Sequence, residues 1–122
     1  MEHLSKETFI EKIFDYEHNK EWDFKGSKPC IIDFYADWCA PCRMVSPILE
    51  QISKDYEGLV DVYKIDTEKQ QELASIFGVK SIPSILFVPV GDTPRMSVGA
   101  LPKESFEKAI DDIFKVQKPN MN

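Results

Sequence analysis

The sequence predicts an α/β fold, a central mixed sheet of four to five strands flanked by helices on both faces, and three observations carry that reading. Residues 30–36 form a near-continuous apolar run, as expected of a strand buried on both faces. Residues 39–57 follow with apolar positions at helical spacing, and 60–66 return to β-branched and aromatic residues. A strand–helix–strand unit of this kind is parallel, whereas segments 84–88 and 95–99, joined by the turn Gly91-Asp92-Thr93-Pro94, are antiparallel.

Each element has its own signal. A short strand is expected at Glu2–Leu4. Ser5 is an N-cap with Leu4 and Phe9 at hydrophobic-staple spacing around it. Phe9, Ile10, Ile13 and Phe14 then mark one face of a helix ending near Tyr16. Residues 17–29 are polar, carry Gly26 and Pro29, and read as a loop. Within that loop Trp22 and Phe24 are expected to pin it to the core; the alternative is that they flank a substrate groove.

The strand at 30–36 contains one anomaly, the charged Asp33. In the helix that follows, Met44, Val45, Ile48, Leu49, Ile52 and Tyr56 form the apolar stripe. Pro47 falls inside it, removes one backbone donor and is expected to kink it. Leu73, Ala74, Ile76 and Phe77 predict a short helix closed by Gly78. The last helix starts near Pro102 and carries Phe106, Ala109, Ile110, Ile113 and Phe114. One domain over residues 1–115 accounts for all of this, with 116–122 as an unpatterned tail expected to fray.

Composition narrows the function. With 43% hydrophobic residues and eight Phe the chain builds a core without staples. A net charge of −6 gives no electrostatic footprint for nucleic acid or an anionic membrane surface. The first 20 residues carry Glu2, Lys6, Glu7, Glu11 and Lys12 and hold no signal-peptide run. No stretch approaches the roughly 18 apolar residues of a membrane span. A cytoplasmic monomer is the expectation, the alternative being a periplasmic protein whose leader has been removed.

The chemistry lies in the cysteines. Three of them, Cys30, Cys39 and Cys42, do not make a structural disulfide framework. Cys39 and Cys42 sit where a buried strand gives way to a helix, spaced so that both sulfurs occupy the first turn and reach disulfide geometry. Backbone N–H groups at a helix N-terminus stabilise an anion. Cys39, nearer the end, therefore reads as the nucleophile. Cys42, one turn further in, reads as the shielded second thiol. Pro41 fits an early helical position because the donor it lacks would have no intrahelical partner.

The segment Asp33-Phe34-Tyr35-Ala36-Asp37-Trp38-Cys39-Ala40-Pro41-Cys42 resembles the active-site segment of the thioredoxin family, which typically reads Trp-Cys-Gly-Pro-Cys. Ile82-Pro83 lies 41 residues past Cys42, where thioredoxins carry an Ile-Pro with a cis peptide bond facing the disulfide. Val98-Gly99-Ala100-Leu101 resembles the family's second groove-lining loop, with Gly99 sixteen residues past Pro83. Pro47 matches the family's helix kink. The resemblance spans roughly residues 1–115 and implies a thioredoxin fold.

It also implies a protein-disulfide reductase in which Cys39 attacks a substrate disulfide and Cys42 resolves the mixed disulfide. Asp33 matches the family's buried acid, which exchanges a proton with the resolving cysteine. Trp38, Ala40, Pro41, Ile82, Pro83, Gly99 and Ala100 match the substrate groove. The partners implied are disulfide-containing proteins and an external reductase, with no cofactor and no metal beyond the cysteine pair itself.

Departures from the family pattern carry their own expectations. Ala40 replaces the usual Gly and is expected to stiffen the site slightly; Pro41 keeps the reducing type, at a place where disulfide-forming relatives commonly have His. Val62 falls where many thioredoxins have Lys near the buried acid, so Asp33 is expected to hold its proton more strongly. Residues 17–29 are longer than in a minimal thioredoxin. Against the reductase stand an oxidase or isomerase, a non-catalytic binding module, an inert disulfide, and a zinc site. Zinc is short of ligands, because only His3 and His18 accompany the pair. Cys30 reads as a small buried strand residue.

Overall fold

The computed structural model describes residues 1–119. In chain order the elements are β1 (Glu2–His3), α1 (Lys6–Lys12), β2 (Cys30–Tyr35), α2 (Ala40–Asp55) and β3 (Asp61–Asp66). There follow α3 (Gln71–Ile76), β4 (Ser84–Val88), β5 (Arg95–Val98) and α4 (Lys103–Ala109), which continues as a π-helix over Ile110–Phe114. The strands form one five-stranded sheet in the order β1-β3-β2-β4-β5. β3 pairs in parallel with β1 and β2, while β4 pairs antiparallel with β2 and β5. This is the mixed sheet that the sequence predicts. Among the described residues no helix is long and apolar enough to cross a membrane.

Alternation along β2 divides the core into two layers. Cys30, Ile32 and Phe34 pack with Leu4, Phe9, Ile13 and Leu73 on one side of the sheet. Ile31 packs with Val45, Leu49 and Ile52 of α2, Val62 of β3 and Ile85 of β4 on the other. Each fully buried side chain of this size contributes roughly 1.5–3 kcal/mol relative to exposure. Two residues beyond Ile31 on the α2 side comes Asp33, fully buried. The anomalous charge thus lies in the layer that carries the cysteine helix.

Several boundaries differ from the sequence reading, each for a local reason. α1 ends at Lys12 with Ile13 as its cap, short of Tyr16. Beyond it the Phe14 amide reaches back to the Phe9 carbonyl and the Tyr16 amide to that of Phe14. This tight turn keeps Phe14 against Trp22, ring centroids 4.9 Å apart. The apolar spacing therefore outlasts the helix. Trp22 and Phe24 pack against the first core layer, pinning the long loop. The cleft they line with Gly91, Asp92 and Thr93 is at the β2 end where Cys30 pairs with Val88, remote from the cysteine pair. They do not flank a groove at Cys39.

The π-helical turn has no counterpart in the sequence reading. Over the eight residues from Phe106 to Phe114 an α-helix drifts about 80°. A wider turn reduces that drift. Both rings accordingly reach Phe87, at 6.3 and 6.1 Å. The tail also departs from expectation in part: Val116 packs against the second core layer, and Lys118 pairs with Glu107 at 3.0 Å. Residues 120–122 of that tail lie outside the described residues.

Candidate active site

Cys39 and Cys42 form a disulfide with their Cα atoms 5.3 Å apart. Cys39 is the N-cap of α2, and its sulfur accepts a hydrogen bond from the Cys42 amide at 3.2 Å. That amide is one of the donors a helix start leaves without an intrahelical partner. Ala40 and Pro41 occupy the first two helical positions and are exposed. The Arg43 guanidinium donates to the Asp37 carbonyl at 2.9 Å and closes the turn that leads into the site. Both cysteines are nearly covered, at 4% and 3% exposure. Hydrogen bonding, not access, is what distinguishes the two sulfurs in this oxidised state.

Pro47 lies inside α2, which stays helical through it from Ala40 to Asp55. The lost donor leaves the Arg43 carbonyl without its usual partner four residues on.

A second chain segment meets the disulfide from the β4 side. The Ile82–Pro83 peptide bond is cis, and the Ile82 carbonyl oxygen lies 3.8 Å from Cys39 Sγ. Pro83 is buried, and its own carbonyl accepts from the Gly99 amide at 2.8 Å. Gly99 has φ +101°, a conformation that a side chain would strain, so the residue type is dictated by the backbone. Ala100 follows it at the surface. Trp38 is 68% exposed, and its Nε1 donates to Glu68 Oε1 at 2.7 Å. Trp38 is therefore no core residue.

Asp33 sits below the surface on the α2 side of the sheet. Neither carboxylate oxygen has a hydrogen-bond partner among the described residues. Burial raises its pKa from 3.8 to about 6, and the charge of Lys64 opposes that rise. Lys64 is the in-register neighbour of Asp33 on β3. Val62 brings no charge, as expected, but a cation is supplied two residues further along the same face of the strand. The expectation of an uncompensated acid is corrected to that extent. A cavity of about 130 Å³ beside Cys42 is lined by Tyr35, Ala36, Asp37, Cys42, Arg43, Ser46 and Lys64.

The fold thus gathers Cys39, Cys42, Ile82, Pro83 and Gly99 around one disulfide, with Trp38, Ala40 and Pro41 beside it. Sequence reasoning missed Glu68, Arg43, Ser46 and Lys64. The alternation 62, 64, 66 along β3 places Lys64 on the Val62 face, but which β2 residue it faces depends on a register the sequence does not show. Among the described residues no cluster of three or more His, Cys, Asp and Glu side chains is placed to hold a metal. His3 instead contacts Tyr35 Oη at 3.1 Å, and His18 contacts Asp15 at 2.9 Å. Cys30 is free and buried, and burial pushes its thiol pKa upward.

The chain is similar to known proteins in sequence and in fold. The thioredoxin family model matches residues 3–112. The chain is 53% identical over 111 residues to a thioredoxin of Borreliella burgdorferi, covering 91% of this chain and 95% of that protein. A thioredoxin of Synechocystis is 41% identical over 108 residues, covering 88% and 92%. Among solved structures, chloroplastic thioredoxin z superposes with a TM-score of 0.77 at 26% identity, covering 93% of each chain.

Proposed function

We propose that this chain, which belongs to the thioredoxin family and is a protein-disulfide oxidoreductase, works in the reducing direction with Cys39 as nucleophile and Cys42 as resolving thiol. The observation that carries the assignment is the Cys42 amide directed at Cys39 Sγ from the first turn of α2. A thiolate at that sulfur keeps the hydrogen bond and gains the favourable end of the helix dipole.

In the reduced protein the Cys39 thiolate attacks one sulfur of a substrate disulfide, and the other substrate sulfur leaves as a thiolate. Asp33 takes the Cys42 proton. The Cys42 thiolate then attacks Cys39 Sγ, the mixed disulfide breaks, and the second substrate thiolate departs. Two electrons have moved to the substrate, and Cys39–Cys42 is oxidised. An extended substrate segment lies across Trp38, Ala40, Pro41, Ile82, Pro83, Gly99 and Ala100. The exposed indole and the Ile82 carbonyl beside Cys39 support that placement.

The family works through its own cysteine pair, and its substrates and electron donor are disulfide-containing proteins and a reductase. We place the protein in the cytoplasm as a monomer without any further cofactor or metal. Pro41 between the cysteines supports the reducing role. Reduction of insulin disulfides with dithiothreitol as electron donor tests the function. Turnover that disappears in Cys39→Ser is expected, and an inactive parent protein would favour a binding module instead.

A further inference from the structure

The Lys64 ammonium is the cation that opposes burial at Asp33, yet it hydrogen-bonds elsewhere. Its Nζ donates to Ser46 Oγ at 3.0 Å and lies 4.3 Å from the centroid of the Tyr35 ring. Asp33 and Lys64 are in register on adjacent strands, and still both Asp33 oxygens are unpartnered among the described residues. Ser46 is one helical turn beyond Cys42 and lines the cavity that Cys42 also lines. An ammonium over an aromatic face and against a hydroxyl has a substitute for the carboxylate it would otherwise seek.

We propose that Ser46 is a positioning residue for the resolving step, its hydroxyl and the Tyr35 ring together holding the Lys64 ammonium off the Asp33 carboxylate. The arrangement keeps Asp33 within electrostatic reach of one cation while denying it an ion pair. The titratable and charged groups on this side are Lys64 and Asp66 of β3, Tyr35 of β2, Asp37 of the following turn, and Cys42 and Arg43 of α2. β4 contributes the apolar Ile85. Lys64 is the one of these that the Ser46 hydroxyl holds by a hydrogen bond. The kinetic consequence rests on the reading that Asp33 accepts the Cys42 proton.

The test is the pH titration of the Asp33 carboxyl by carbon NMR in the oxidised protein, assigned with Asp33→Asn. Beside it, the rate of mixed-disulfide resolution is measured against pH. Ser46→Ala removes the hydroxyl at no cost to helix propensity, and the freed ammonium moves to Asp33. The Asp33 midpoint is then expected to fall by about one pH unit, as for a carboxylate gaining a nearby cation. Ser46→Thr keeps a hydroxyl and is expected to keep the parent midpoint, and Lys64→Met is expected to raise it. A Ser46→Ala midpoint that is unchanged or higher overturns the proposal. If the midpoint falls and the resolution profile does not follow it, the position of Lys64 is confirmed and the role given to Asp33 fails.

Discussion

The amide of Cys42 hydrogen-bonds the sulfur of Cys39 at 3.2 Å, so the second cysteine of the pair supports the first through its backbone as well as its side chain. The two sulfurs differ by one turn of α2 and therefore by their share of the free amides at its start. Alkylation of the reduced protein at neutral pH is expected to label Cys39 before Cys42. Cys39→Ser is expected to abolish attack on disulfides, whereas Cys42→Ser accumulates mixed disulfides that a gel without reductant resolves. Labelling of Cys42 first would reverse the roles.

Asp33 gives a prediction about stability. Its pKa is 3.8 before burial and about 6 in the folded protein. Between those values the native state binds more protons than the unfolded state, so stability falls as pH rises from about 4 to 6 and then levels off. The cost at neutral pH is on the order of 3 kcal/mol. Asp33→Asn is expected to melt at a higher temperature than the parent at pH 7, with the advantage shrinking toward pH 4. The same variant is expected to release mixed disulfides more slowly. Lower stability at pH 7 together with unchanged turnover would make Asp33 an ordinary structural acid.

The hydrogen bond from Trp38 to Glu68 fixes an exposed indole beside the disulfide. Removing one such bond costs about 1 kcal/mol, close to a factor of five in an equilibrium constant. Glu68→Ala is expected to raise KM for a protein disulfide about fivefold, with kcat little changed. An unaltered KM would show that the indole needs no such support.

Much of the fold was legible because its signals are local. The buried strand 30–35, the cysteine helix and the turn between β4 and β5 each follow from patterns within a few residues. The landmarks Cys39, Cys42, Pro83 and Gly99 were legible as a spaced set, and the structure brings them to one place. What escaped depends on contacts between distant segments. The pairing of Asp33 with Lys64 is a matter of parallel register, and the grip of Glu68 on Trp38 spans 30 residues. The π-helical turn at Ile110–Phe114 brings a late Phe back toward the sheet, which a fixed helical period does not anticipate.

The central claim, a dithiol that reduces, is tested most directly by the reduction potential of the Cys39–Cys42 couple, measured by equilibration against glutathione or a reference dithiol. Pro41 stands between the cysteines where an oxidase would carry His. The expected value is near that of thioredoxins, about −270 mV, with Ala40 shifting it by tens of millivolts. A value near the roughly −120 mV of a strong disulfide oxidase would contradict the reductase assignment.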